Sequence, residues 1–327
     1  MRIHSPLPDS NLGSGGSHLL AYVKPWLSWS DQLLPLINRG LVVKDRAAAM
    51  EFLSHVNYYR FSGYCLAFER TRHEFMPHTT FEQVRKSYDF DRALRDLVTE
   101  ALEMIEVDVR TTISHYFGKR HGAFGHIDPT NFFVSAPSQY KHKRSDFNHT
   151  NWLATLRREA DRSQEKFIDH FKNTYMGFPN LPVWMATEIM SFGSISRMYQ
   201  GLLREDGRVI AHRYGVQPLF LASWLHHLVY VRNVCAHHSR LWDRVWAVKP
   251  DLPPLPNWSA PLLPNNEHIF VTLLILRHML KRCLGIALWD TDWKARVQAL
   301  LNLPPIAANA HGRMGLSKNW SLHPLWM

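Results

Sequence analysis

The feature that most constrains the fold is a stripe of apolar residues that runs through segment 89–117 at spacings of three and four. These spacings place the side chains on one face of an α-helix, whereas a half-buried strand would show alternation. The stripe consists of Leu94, Leu97, Val98, Ala101, Leu102, Ile105, Val109, Ile113 and Phe117. Because strand-like alternation is scarce in the rest of the chain, the sequence predicts an all-α fold.

Shorter helical patterns precede and follow this stripe. Ser30 can cap a helix that stops at Gly40, and a second helix is expected from about Asp45 to Val56. Pro218 can occupy the first turn of another helix. The remaining helical patterns lie at 151–171, 182–190, 194–203 and 266–288. Within the last of these, the apolar run 269–276 is too short to cross a bilayer and predicts a buried helix.

Composition and helical patterning divide the chain into three parts. Residues 1–20 are rich in Gly, Pro and Ser, which predicts a flexible leader. We expect an N-terminal helical extension over 21–80 and one main helical domain over 81–327. The chain has 327 residues, of which 46% are hydrophobic and 20% charged, so it can bury a substantial core.

Net charge and cysteine usage bear on partners and compartment. The formal net charge of +10 favours polyanionic partners, although many proteins that bind no nucleic acid are equally basic. Cys65, Cys235 and Cys283 are widely separated and form no CxxC pair, which favours a reducing compartment. No apolar signal segment follows Arg2. We therefore expect a cytoplasmic protein with no membrane partner.

The segment 232–238, called the motif segment below, carries the most promising chemistry. Its candidate catalytic residues are Arg232, Asn233, His237 and His238. RNA brings its own nucleophile, the 2′-OH, so a protein that cleaves it must supply proton transfer and charge stabilisation. Histidine titrates near neutral pH, and the arginine fork binds phosphate oxygens. Because one histidine cannot easily be both acid and base, we expect a second copy of the site in a symmetric dimer, or help from His238.

Two other interpretations of the motif segment stay open. In the first, Asn233 and His238 cap the helix, and the histidines are ordinary last-turn residues favoured by the helix dipole. In the second, neighbouring thiol and imidazole groups bind zinc, namely Cys235, His237, His238, His226 and His227. Cys235 and His237 are closer in sequence than the ligands of the usual structural sites. We therefore expect no metal and no other cofactor.

Basic and aromatic residues elsewhere are candidates for RNA contact. Tyr58 and Tyr59 could stack bases and Arg60 could meet phosphate, but such an aromatic cluster is also typical of packing between helices. Arg240 and Arg244 follow the motif segment and are further candidates. A basic stretch supplies three more, Lys141, Lys143 and Arg144, although a solvated face explains that stretch equally well.

Three residues are candidates for supporting the catalytic groups. Glu106 and Arg110 lie one turn apart and form either a surface pair or, if they point towards Arg232, a second layer that orients it. Glu188 has the same two interpretations.

Four blocks of sequence, at 57–64, 91–110, 184–193 and 232–244, form a shared pattern in order and spacing. Together they resemble the Abi-like family of bacterial abortive-infection proteins (AbiD/AbiF type), whose core is placed in the HEPN superfamily. The ending, with Met314–Gly315–Leu316, Trp320 and Pro324, is also similar. The resemblance runs from about residue 24 to the end of the chain.

The resemblance implies an all-helical HEPN-type bundle with an N-terminal extension, in which a homodimer joins two Arg–His motifs. It carries over Arg232 and His237 as the catalytic pair, with Asn233 as the polar residue that commonly follows the arginine. It implies metal-independent endoribonuclease activity that leaves 2′,3′-cyclic phosphate ends, a toxic role in phage defence, and a structured small RNA as a further partner. The alternatives are a non-catalytic module that holds a structured RNA, and a purely structural helical scaffold.

Overall fold

The computed structural model describes residues 22–133, 147–283, 287–305 and 307–327, without the side chains of 287–291. Within these ranges the chain is all-α, as predicted, and its one sheet is a two-stranded hairpin. The α-helices are α1 (Trp29–Asn38), α2 (Arg46–Val56), α3 (Tyr58–Cys65), α4 (Phe81–His121), α5 (His149–Arg162), α6 (Lys166–Thr174), α7 (Val183–Ile189), α8 (Phe192–Gly201), α9 (Arg204–Arg213), α10 (Pro218–Ala236), α11 (Ile269–Leu280), α12 (Ala287–Leu301) and α13 (Ala310–Arg313). The strands are β1 (Glu69–Thr71) and β2 (Glu74–Phe75).

Helix α4 is the axis of the bundle. It is 41 residues long, and the apolar stripe predicted for 89–117 is buried along it. It begins earlier than the stripe because Thr80 and Gln83 form a capping box, in which each side chain accepts a hydrogen bond from the other residue's backbone N–H. It ends at His121, and the C-cap residue Gly122 has a φ of 75°, which glycine adopts most readily. Helices α3, α7, α9, α10, α11 and α12 all pack against it.

The helices that precede α4 share one hydrophobic core with the rest of the chain. Aromatic rings make the junction: Phe61 of α3 stacks on Phe81 of α4 with centroids 4.5 Å apart, and Phe52 of α2 meets Phe81 edge-on at 5.7 Å. Aromatic pairs of this kind add to the stabilisation that their buried area gives. The position of α3 is therefore fixed relative to the first turns of α4. The predicted leader over 1–20 lies outside the described residues.

At the other side of α4, helix α11 is buried along its entire length, which confirms the buried helix predicted from the run 269–276. It ends at Leu280, so the helix predicted for 266–288 was too long. No helix in the described ranges is both long and apolar enough to cross a bilayer.

Several predicted boundaries were wrong for local reasons. Ser28, not Ser30, caps α1, since the Ser28 hydroxyl accepts from the Asp31 N–H at 3.2 Å. The single helix predicted for 151–171 is two helices, because the backbone is extended at Ser163 and again at Glu165. The predictions for α2, capped by Asp45, and for the start of α10 at Pro218 are confirmed.

Candidate functional site

Helix α10 presents the motif segment at its C-terminal end. Its apolar face is buried and includes Leu221, Trp224, Leu225, Leu228, Val231 and Val234. The opposite face carries Arg232 and Asn233, which are both exposed, and His237 is exposed as the C-cap. The Arg232 guanidinium donates to the Asn233 side-chain oxygen at 3.3 Å, and no acidic group among the described residues pairs with it. The side chains of the predicted Arg232–His237 pair are thus both accessible.

The helix ends in a Schellman motif. The His238 N–H donates to the Cys235 carbonyl at 2.8 Å and the Ser239 N–H to the Val234 carbonyl at 3.0 Å. His238 occupies the left-handed position of the motif, with φ of 51°, where Gly or Asn is usual. The interpretation that His238 caps the helix therefore holds, through its backbone N–H and its left-handed conformation. The capping interpretation does not hold for Asn233, which lies inside the helix and whose carbonyl accepts from the His237 N–H.

A buried carboxylate holds the connecting loop, residues 238–242, that follows the helix. Asp91 of α4 is inaccessible to solvent and accepts from the backbone N–H groups of Leu241 (3.0 Å) and Trp242 (2.7 Å). It also accepts from the Tyr64 hydroxyl at 2.7 Å and forms an ion pair with Arg95. Burial raises the pKa of the Asp91 carboxyl, whereas Arg95 and the three hydrogen bonds lower it. The net effect is a raised pKa, while the donors around the carboxylate, Arg95 among them, favour its ionised form.

Two arginines exchange hydrogen bonds between α3 and the connecting loop. Arg60 on α3 donates to the His238 carbonyl, and Arg240 on the loop donates back to the Gly63 carbonyl of α3. Arg95 reaches the Ser239 carbonyl at 3.4 Å from the side of α4. The loop after the motif segment is therefore tied to two different helices.

The thiol of the motif segment is not accessible. Cys235 is buried, and burial raises the pKa of its thiol to about 12 although the nearby Thr99 side chain lowers it. It therefore stays a neutral thiol near pH 7, whereas zinc binds the thiolate. Across the part of the chain that the structure describes, no three His, Cys, Asp or Glu residues are grouped so that they could hold a metal ion.

The earlier histidine pair is split between surface and core. His227 is buried, with Nδ1 2.7 Å from the Val248 carbonyl and Nε2 2.9 Å from the Thr272 hydroxyl. Burial lowers the pKa of His227 to about 4. Its neutral ring therefore donates to Val248 and accepts from Thr272, which gives it a structural role between α10, α11 and the segment at Val248.

The predicted RNA-contact residues occupy different environments. Tyr59 is 69% exposed beside the site, and Tyr58 lies edge-on to it at 5.7 Å and is half-buried. Arg244 is half-buried and donates to the Arg240 carbonyl at 2.6 Å. The basic stretch with Lys141, Lys143 and Arg144 lies outside the described residues. An RNA contact by any of these residues stays a prediction.

Glu106, Arg110 and Glu188 join α4 to α7. Glu106 and Arg110 form a 2.6 Å ion pair, and Arg110 also donates to the carbonyls of Thr187 (2.7 Å) and Glu188 (2.6 Å). Among the described residues, none of these contacts reaches Arg232. A supporting role for the three at the catalytic pair stays a prediction.

Asp91 and Arg95 are site residues that were not predicted from the sequence. One signal was available for the two charged residues. Asp91 precedes Leu94 by three positions and Arg95 precedes Val98 by three, so both lie in phase with the apolar stripe. A charge on the buried face of a helix needs a buried partner, and i,i+4 spacing supplies it here. That Asp91 accepts hydrogen bonds from two backbone N–H groups could not be predicted, because no sequence pattern indicates which N–H groups a carboxylate will bind.

Comparison with known families places this geometry in context. The sequence model of the family described as Abi-like protein matches residues 51–243, more than half of the chain. The matched range includes α3, Asp91 and Arg95, and it ends just after the connecting loop. Searches among curated proteins and among solved structures give no significant match. Because the family model matches more than half of the chain, the chain belongs to the Abi-like protein family.

Proposed function

We propose that this protein acts in abortive infection, the bacterial defence in which an infected cell is arrested, and that it does so by cleaving RNA at Arg232 and His237. The family supports the role in defence. The chemistry is proposed from the motif segment and from its resemblance to the HEPN superfamily, and it is metal-independent.

The observation that carries the proposal is the contrast between the motif side chains and their surroundings. Arg232 and His237 are exposed at the end of α10, while Val234 and Cys235 between them are buried. The connecting loop beyond them is held by Asp91. Phosphodiester cleavage needs a guanidinium that is free to bind phosphate and an accessible imidazole; here the Arg232 guanidinium pairs with no acidic group in the part of the chain that the structure describes.

In the proposed reaction the imidazole takes the proton of the ribose 2′-OH while that oxygen attacks the adjacent phosphorus. The bond from phosphorus to the 5′-oxygen breaks, and a second acid returns a proton to the leaving oxygen. Arg232 binds the phosphate oxygens as charge builds on them. The products are a 2′,3′-cyclic phosphate and a 5′-hydroxyl. The second acid comes from His237 of a second copy in a homodimer, with His238 as the alternative donor within one chain.

The proposal is tested in cells. The protein, Arg232→Ala and His237→Ala are expressed with an affinity tag, growth is followed with and without phage, and co-purified RNA is sequenced with its ends mapped. We expect growth arrest and new RNA ends from the wild type only. Growth arrest by the wild type that persists in both variants would contradict cleavage at this site.

The same experiment separates the alternatives. A module that only holds a structured RNA would retain that RNA in His237→Ala and would yield no new ends in any form of the protein. A helical scaffold would recover no RNA and cause no arrest. We propose a structured small RNA as partner in addition to the substrate, and sequencing identifies it as an intact species shared by the wild type and both variants.

A further inference from the structure

The connecting loop is held by the N-terminal helices as well as by the bundle axis. We infer that Arg60 and Arg240 are positioning residues, which fix the backbone of the connecting loop against α3 and thereby hold His237 and Arg232 in reacting geometry. The inference rests on the proposed function and adds to it that α3 is part of the site.

The two arginines form a reciprocal pair of contacts. Arg60 crosses from α3 to the His238 carbonyl, and Arg240 crosses back to the Gly63 carbonyl one turn further along α3. Each guanidinium donates to a neutral backbone carbonyl, and neither forms an ion pair with an acidic side chain among the described residues. Arg60 is exposed and Arg240 is half-buried, and hydrogen bonds from a charged donor are stronger than those between neutral groups, so the pair links the two elements.

The contact points lie where small movements matter most. The carbonyl that Arg60 contacts belongs to His238, the residue after His237. His238 also has the left-handed backbone conformation at which the chain turns away from α10. A change in the backbone conformation of His238 would move the His237 imidazole relative to Arg232. Misplacement of reacting groups by about 1 Å can reduce turnover about a hundredfold.

Asp91 completes the arrangement from the side of α4. It binds the Tyr64 hydroxyl of α3 and the N–H groups of Leu241 and Trp242 through one carboxylate. The connecting loop is therefore fixed at His238 and Arg240 by α3, and at Leu241 and Trp242 by a residue that also holds α3. Loss of either arginine leaves the Asp91 contacts in place, so these variants are expected to fold.

Arg60 and Arg240, if they position the loop, can be distinguished by kinetics from arginines that bind RNA. A residue that contacts RNA phosphate contributes to binding, and its loss raises KM. A residue that only orients the catalytic groups contributes to turnover, and its loss lowers kcat with KM unchanged. Arg158 on α5 is a matched control, because it is exposed and, within the described ranges, its side chain bonds only to Thr155 of its own helix.

The experiment uses the full chain as wild type, Arg60→Met, Arg240→Met and Arg158→Met. Amide hydrogen exchange is measured over 238–242, and cleavage of a short, unstructured, end-labelled RNA of mixed sequence is measured at steady state. We expect faster exchange in the loop and a kcat lowered about ten- to a hundredfold in the first two variants, with KM unchanged. Arg158→Met is expected to match the wild type in both measurements, and Arg60→Lys to recover part of the loss.

Two results would overturn the inference: loop exchange that does not change in Arg60→Met and Arg240→Met, or a raised KM with kcat unchanged, which would mean that these arginines contact RNA instead. A wild-type protein that cleaves no RNA in any assay would overturn the proposed function, while the exchange rates would still decide whether the two arginines hold the loop.

Discussion

The carboxylate of Asp91 lies 2.7 Å from the backbone N–H of Trp242, which connects the axis of the bundle to the loop that ends the candidate site. The two residues are separated by 151 positions in sequence. Asp91 is buried and has donors on both oxygens, so its removal leaves Arg95 without its ion-pair partner and two backbone N–H groups without their acceptor. This relationship gives the first prediction.

Asp91→Ala is expected to lower the free energy of unfolding by about 3–5 kcal/mol, because removing one partner of a buried ion pair leaves the other charge uncompensated. Denaturant titration of the purified protein measures the change. The control is Glu74→Ala in the exposed Arg70–Glu74 pair, for which a change of at most about 1 kcal/mol is expected. A loss for Asp91→Ala no larger than that of the control would mean that the contacts of Asp91 do not stabilise the fold.

His238 gives a prediction from its backbone. At φ of 51° glycine lacks the steric penalty of about 1–2 kcal/mol that other residues meet there. His238→Gly should therefore keep or slightly raise the melting temperature, and His238→Val should lower it, since a β-branched residue fits this conformation worst. If His238→Gly unfolds at a clearly lower temperature, its side chain and not its backbone stabilises the end of the helix.

The same substitution isolates the chemistry of the His238 side chain. Because His238→Gly preserves the turn, any loss of RNA cleavage would come from the missing imidazole. Proton transfer by a positioned group typically contributes about a hundredfold or more. A kcat that stays at the wild-type value in His238→Gly would assign the second proton transfer to the partner copy of His237.

Acid sensitivity follows from three buried histidines. Burial lowers the pKa of His126, His227 and His278 from near 6.5 to about 4. Between pH 4 and pH 6.5 the unfolded chain therefore binds more protons than the folded chain. The contribution of these histidines to the free energy of unfolding is fully present above pH 6.5 and is lost as the pH falls towards 4. The slope is at most about 1.4 kcal/mol per pH unit for each histidine.

Unfolding measured across this pH range checks that prediction. His278→Gln is the informative variant, because a glutamine amide can still donate to the Tyr214 carbonyl that accepts from His278 Nε2 at 2.9 Å. In this variant the free energy of unfolding should change less steeply with pH, by the contribution of one histidine, which is at most about 1.4 kcal/mol per pH unit. An unchanged slope in this variant would show that His278 does not contribute to it.

Much of the helical pattern could be predicted from sequence, and the failures have physical causes. The stripe from Leu94 to Phe117 gave the central helix because its period is regular over many turns. Helix α9 was not predicted, since its buried positions include Asp206 and Gly207, which no apolar pattern reveals. The break between α5 and α6 contains neither Pro nor Gly; within it the Glu165 N–H donates to the Ser163 hydroxyl at 3.3 Å, and serine is a weaker turn signal in a sequence than Pro or Gly.

The candidate site was predictable in part. Exposed Arg232 and His237 at a helix end follow from the pattern of α10 and the capping residues that end it. Arg60 and Arg240 were predicted to bind RNA because arginine most often contacts phosphate in such proteins, but their hydrogen bonds here reach backbone carbonyls. Carbonyl groups are the same at every position, so a sequence cannot indicate which of them a side chain will meet.

Homodimerisation has its own test. If each catalytic centre needs a histidine from both copies, cleavage per molecule should fall when the protein is diluted below its dimer dissociation constant. Mass photometry over the same dilution series should show monomers appearing in parallel. Activity per molecule that is constant while the dimer dissociates would place the whole reaction within one chain.

The most direct measurement of the central claim is RNA cleavage by the purified protein with EDTA present, in wild type and His237→Ala. The account predicts cleavage by the wild type with 2′,3′-cyclic phosphate ends, and a rate at least about a hundredfold lower in His237→Ala with its melting temperature unchanged. Equal cleavage by the two proteins, or activity that EDTA abolishes and added zinc restores, would contradict it.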